Sequence, residues 1–125
     1  MRDPVCPLKL ALYGHPDSGG FWEQHCDEHL RHIGFVPVEE WKSCYIHEKL
    51  GLLLVVYVDD FNFAGPKANL AKGWKLIRDK LILDDPTPLG RFLGCEHTHV
   101  QKVLASSGAS VNALEYCMTE FMLSW

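Results

Sequence analysis

The stretch LLLVVYVDDFNFAG, residues 52–65, sets two adjacent carboxylates, Asp59 and Asp60, directly after the longest apolar run in the chain. A run this rich in Leu and Val is apolar on both faces, the pattern of a central strand. An unpaired carboxylate is costly to bury, so the chain is expected to leave the core before Asp59. FNFAG then resumes strand character and stops at Gly65-Pro66. The stretch predicts a β-hairpin with the Asp pair at the tip of its turn.

Reading outward, CYIH is a second β-rich run, separated from the first by the charged, Gly-bearing HEKLG, which predicts another hairpin. Further upstream, Phe21, Trp22, Cys26, Leu30 and Ile33 recur at near-helical spacing. With Ser18 as N-cap and Gly34 as stop they predict a helix over residues 20–33. Downstream of the tip, Leu70, Trp74, Ile77 and Leu81 mark a second amphipathic helix. DDPTPLG is a breaker segment, RFLGCEHTHV reads as a strand, and SVNALEYCMTEFMLSW reads as the start of a further helix. The fold class expected is α/β (α+β), an antiparallel hairpin sheet packed by amphipathic helices.

The chain has 125 residues, 47% of them hydrophobic and 22% charged, ordinary globular values that predict one domain over residues 1–125. The formal net charge of −4 gives the chain no bulk attraction for nucleic acid or an anionic membrane. The five cysteines are widely spaced with no CxxC pair, and no signal peptide precedes them. The apolar run at the hairpin is about half the length of a membrane span. These features lead us to expect an intracellular protein with reduced thiols and no membrane partner.

Adjacent carboxylates on extended chain point to opposite sides, so at most one aims squarely at a given site. Mg²⁺ takes one or two carboxylates plus water and substrate phosphates, and two-metal phosphoryl transfer needs at least one more carboxylate from a neighbouring strand. The tip therefore supplies half of such a site. Taken alone, an Asp-Asp dipeptide is better explained as a solvated turn.

The surrounding motifs weigh against the solvated turn. LYGHPDSGGFW, then YVDD between two strands, then a helix, then PLGRFLG follow one another in that order. The arrangement resembles the palm of copia-type retrotransposon reverse transcriptases over roughly residues 10–97. Leu12, Tyr13, Gly14, Ser18 and Trp22 match the family's upstream element, Tyr57, Val58, Asp59 and Asp60 its hairpin, and Leu89, Gly90, Phe92, Leu93 and Gly94 its downstream element. The resemblance implies RNA-directed DNA polymerase chemistry. Asp59 and Asp60 would be catalytic metal ligands for Mg²⁺ or Mn²⁺, with Asp59 the principal one, and Tyr57, Ser18 and Gly14 would be substrate-binding. The implied partners are a primed RNA or DNA template and a deoxynucleoside triphosphate.

The chain departs from the family at His15-Pro16-Asp17 and at Gly20, where cationic and amide groups are expected. The family's earlier catalytic aspartate lies upstream of the tyrosine-glycine element. Here only Asp3 precedes Leu12, too near in sequence to serve, and the fingers are missing. The expectation is a truncated palm whose two-metal nucleotidyl transfer is weak or absent in this chain alone. Loss of the first palm strand is expected to expose a sheet edge beside Asp59-Asp60 and to favour self-association. The alternative is a non-catalytic relic α/β domain serving as a protein-interaction module.

Other clusters admit simpler readings. His25 and His29 share a helix face, but a zinc site needs three or four convergent ligands, so a solvated polar face with Cys26 in the core is expected. His97 and His99 alternate on a strand and read as edge-strand surface. Cys44 and Cys95 read as inert core thiols.

Overall fold

The computed structural model describes residues 7, 9, 10, 12 and 14–123. Asp3, Cys6, Tyr13 and Trp125 lie outside the described residues. The chain divides into two compact units, Met1–Asp84 and Asp85–Trp125, where length alone predicts one domain. Among the described residues it is a mixed α+β protein with two antiparallel sheets and three α-helices.

The first unit opens with α1, Ser18–His32. Asp17, not Ser18, occupies the N-cap position, and its side chain makes no capping bond. The Ser18 hydroxyl donates instead to the Leu12 carbonyl at 2.6 Å. The helix ends as the sequence predicts. Gly34 takes φ +96°, its N–H donates to Arg31 O, and Phe35 N–H donates to Leu30 O at 3.0 Å. This is a Schellman close, and it turns the fully buried Phe35 into the core.

Four strands follow: β1 Val36–Val38, β2 Trp41–His47, β3 Leu52–Tyr57 and β4 Asp60–Ala64. They form one antiparallel sheet in chain order. A single 3-10 turn, Glu48–Leu50, closed by Gly51 at φ +60°, joins β2 to β3 as the HEKLG signal predicts. Alternation then sorts the side chains. Tyr45, His47, Leu52, Leu54 and Val56 are buried, while Ile46, Leu53 and Tyr57 on the opposite face are 42%, 41% and 54% exposed. β3 is thus an inner strand, yet only one of its two apolar faces is covered, because both helices of this unit contribute to a core on the same side.

That core joins Cys26 and Leu30 of α1 to Phe35, Tyr45, Leu52, Leu54 and Val56, and to Ile77 and Leu81. The helix α2, Lys67–Arg78, supplies Ile77, and Leu81 lies just past its end. Gly73 is the point of close approach: a Cβ there would sit 2.6 Å from Leu52 Cδ1 and 3.2 Å from Phe63 Cζ. The chain that follows α2 is tied back to the helix, since the Arg78 guanidinium donates to the carbonyls of Leu83 and Asp84.

In the second unit RFLGCEHTHV is a hairpin, not the single strand its composition predicts. β5, Arg91–Phe92, turns through Leu93 (φ +50°) and Gly94 (φ +76°) into β6, Cys95–Val103. Two successive positive φ values are the type I′ pattern that matches strand twist. β7, Ser110–Cys117, replaces the predicted helix over VNALEYC, and only α3, Thr119–Leu123, is helical. The eight-residue ladder from Glu96↔Cys117 to Val103↔Ser110 overrides the weak helical preference of Ala113-Leu114-Glu115. β6 pairs β7 over eight positions but β5 only at Cys95 and Glu96, so His99 lies on an open edge as expected, while the His97 N–H donates to Gly90 O beside β5.

Candidate functional site

Tyr57 pairs with Asp60, leaving Val58 and Asp59 as a two-residue turn between β3 and β4. Val58 takes φ +52°, and among the non-glycine residues of this turn it alone has a positive φ. That is the type II′ pattern, whose first position is normally glycine. A β-branched residue there is a genuine outlier, costing roughly 1–3 kcal/mol, and such strain clusters at functional sites. Asp60 is therefore not in the turn, as the sequence suggests, but is the first residue of β4.

The strained turn is tied down by α1. Trp22 Nε1 donates to Val58 O at 2.9 Å, and its ring meets Phe61 edge-on at 6.5 Å. Trp22 lies one helical turn beyond Ser18, so the helix that carries the upstream motif holds the hairpin through its tryptophan. Asp59 faces a shallow hollow of about 220 Å³ formed with Trp22, Phe61, Ile82, Leu83 and Asp84. Asp60 lies with Tyr57 on the uncovered face of the sheet, because cross-strand partners share a face. The two carboxylates are thus separated in role by backbone position: one at the tip, one on the strand.

The other expected site residues are arranged differently. Tyr57 is beside Asp60 and half-exposed. Gly14 takes φ +84° in the turn before α1, and an added Cβ would meet nothing within 4 Å, so glycine is needed there for backbone freedom. Ser18 spends its hydroxyl on Leu12. Asp84, which shares the hollow with Asp59, sits in the breaker segment and was not singled out by the sequence; its only signal there is the DDP tripeptide.

A larger groove of about 640 Å³ runs along α1 and β1–β2, with Trp22, Cys26, Asp27, Trp41 and Tyr45 among its walls. Asp27 organises it, accepting from Tyr45 Oη at 3.1 Å and from Arg31 Nε at 2.7 Å. Burial, then the Asp27 charge, pushes the Tyr45 hydroxyl up to about 12 and the Cys26 thiol up to about 11. Both stay protonated at neutral pH, which makes them packing groups and not nucleophiles.

One histidine also departs from expectation. His29, read as part of a solvated face, is 3% exposed, with Nε2 3.0 Å from Ile77 O. It links α1 to the end of α2. Cys26 lies in the core as expected. His97 stacks edge-on with Tyr116 at 4.9 Å and its Nδ1 lies 3.1 Å from Gly90 O.

Among the described residues no group of three or more His, Cys, Asp or Glu converges to hold a metal ion. With Asp59 at the tip hollow and Asp60 on the uncovered face, these two carboxylates do not make a two-ion centre on their own. Among the described residues no helix is long and apolar enough to cross a membrane. Comparison with family models, with curated proteins and with solved structures returns no match to this chain.

Proposed function

We propose that this chain carries the catalytic hairpin of a copia-type RNA-directed DNA polymerase palm. The observation that supports it best is the strained Tyr57-Val58-Asp59-Asp60 turn. A two-residue loop of this type favours glycine at its first position, yet a β-branched residue stands there with its carbonyl held by Trp22. Strain maintained by a dedicated contact supports a functional reading of the turn, and the chemistry-bearing groups beside it are Asp59 and Asp60.

In this reading Asp59 and Asp60 hold Mg²⁺ or Mn²⁺, which neutralises the triphosphate of an incoming nucleotide when bound. Tyr57 contributes a half-exposed ring on the face shared with Asp60. Template and primer lie over the same uncovered face. A third carboxylate on a strand beside β4 completes the site, and among the described residues β4 has no such neighbour. Chemistry by these residues alone is accordingly weak or absent.

The test is Mn²⁺ titration of the ¹⁵N-labelled chain. Paramagnetic broadening is expected first at the amides of residues 58–61, with millimolar affinity, and is expected to disappear in Asp59→Asn with Asp60→Asn. Uniform broadening, or broadening that the double variant leaves unchanged, rejects the hairpin as a metal-binding element and leaves the non-catalytic interaction module.

A further inference from the structure

The two edges of the four-stranded sheet are treated differently by the sequence. The β1 edge is guarded: it is three residues long, carries Pro37, and breaks register between Pro37 and Val38. Short length, proline and irregularity are the devices that keep an edge from pairing. The β4 edge has none of them. Its five residues, Asp-Phe-Asn-Phe-Ala, run in unbroken register against β3, with no proline, no lysine and one charge, at its first position.

The two-residue turn fixes which backbone groups that edge presents. Tyr57↔Asp60 is the closing hydrogen-bonded pair of the hairpin, so Asp60, Asn62 and Ala64 turn their N–H and C=O groups inward to β3. Phe61 and Phe63 turn theirs outward. Among the described residues no strand lies on that side.

We propose that β4 pairs with β4 of a second copy, antiparallel about a two-fold axis through Asn62. In this register Phe61 of one copy faces Phe63 of the other, and the reverse, so every outward N–H and C=O of the two residues finds a partner, four hydrogen bonds in all by the antiparallel pattern. Asn62 faces its own mate as the non-hydrogen-bonded pair. A slip of one residue sets outward groups against inward ones and forms no ladder. A slip of two uses the turn or Gly65-Pro66 and leaves Phe61 or Phe63 unpaired.

The charges agree with that register. Asp60 faces Ala64 of the other copy, and the two Asp60 carboxylates stand four residues apart along the ladder, about 13 Å at the usual rise, beyond the Debye length of about 8 Å at physiological salt. On the helix-covered face Phe61 and Phe63 become cross-strand aromatic neighbours, and on the other face the two Asn62 amides meet at the axis. The interface is isologous and closed, so it stops at two copies. It does not depend on the hairpin binding metal, and it covers the same edge that a third carboxylate-bearing strand would use.

Sedimentation of the unmodified chain decides the first point: a monomer–dimer equilibrium with half-association at roughly 100 µM is expected for so small an interface. A second measurement reads the register. In a chain with Cys6, Cys44, Cys95 and Cys117 changed to serine, Asn62→Cys is expected to form an intermolecular disulfide under mild oxidation at least tenfold faster than Ala64→Cys. Paired Cα atoms at the axis are about 4.5 Å apart, within disulfide reach, while the two residues 64 are not. A wild-type chain that stays monomeric at roughly 500 µM, one that forms trimers or open-ended assemblies, or a dimer that cross-links equally at both positions overturns the proposal.

Discussion

At Val58 the backbone takes φ +52°, a value that costs a non-glycine residue roughly 1–3 kcal/mol, and Trp22 Nε1 holds its carbonyl at 2.9 Å. Val58→Gly removes the strain and adds unfolded-state entropy of about 0.4–1 kcal/mol, for an expected net gain of about 0.5–1 kcal/mol in urea denaturation. A loss of stability would show that the valine side chain, not the turn, is what the fold uses. A second residue-scale effect lies at Asp27. Burial, then the Asp27 charge, raises Tyr45 from 10.0 to about 12 and Cys26 from 9.0 to about 11. For a group raised on folding, the folded state holds the proton more tightly, so its stabilisation is complete below the unfolded value and is lost as pH rises through the folded one. The urea midpoint is therefore expected to hold up to about pH 9 and to fall between pH 9 and 12, and Cys26→Ala is expected to flatten the lower part of that fall. The Asp pair was legible at this scale because an apolar run cannot continue through two carboxylates. The Val58 strain and the Asp27–Tyr45 bond were not, since neither positive φ at a β-branched residue nor a contact across 18 positions leaves a mark in composition.

Among elements, the informative one is α2. Its apolar spacing gives the helix and the buried Ile77, but not the reason Gly73 sits in the middle of it. A Cβ at that position would meet Leu52 Cδ1 at 2.6 Å, and Leu52 is itself 1% exposed with no room to swing. Gly73→Ala gains about 1 kcal/mol of helix propensity and incurs an overpacking cost of about 1–3, so a net loss of about 1 kcal/mol is expected. Gly20→Ala in α1, where an added Cβ meets nothing within 4 Å, is expected to gain about 0.5–1 kcal/mol. Equal effects of the two in thermal melts would deny that α2 is seated on Leu52 and Phe63. The hairpin of β3 and β4 was legible because its turn interrupts a long apolar run. β7 was not, because Ala113-Leu114-Glu115 favours a helix locally and the strand exists only through its ladder with β6. The hairpin at Leu93-Gly94 was missed for a related reason: leucine at φ +50° disguises a type I′ turn.

On the scale of the whole molecule, the chain comprises an α/β unit over Met1–Asp84, which carries the Asp pair, and a second unit over Asp85–Trp125, which carries the three-stranded sheet. The apolar strand runs and helical spacings conveyed the α+β make-up of the first of these and did not foresee the boundary, because the breaker DDPTPLG is equally consistent with a loop inside one domain. The covered and uncovered faces of the sheet were also illegible: Leu53 and Leu54 are identical residues, and only the location of both helices on one side leaves the first 41% exposed and the second fully buried. The central claim is the proposal that Asp59 and Asp60 belong to a polymerase palm needing one further carboxylate-bearing strand beside β4. Its most direct test is primer extension on an oligo(dT)-primed poly(rA) template with thymidine triphosphate and Mg²⁺, using the chain alone and the chain joined at its N-terminus to the fingers and first palm strand of a copia-type polymerase. The account predicts no extension above background by the chain alone, extension by the fusion, and at least a hundredfold loss in the fusion bearing Asp59→Asn. A folded fusion without activity, or one whose activity survives Asp59→Asn, would contradict it.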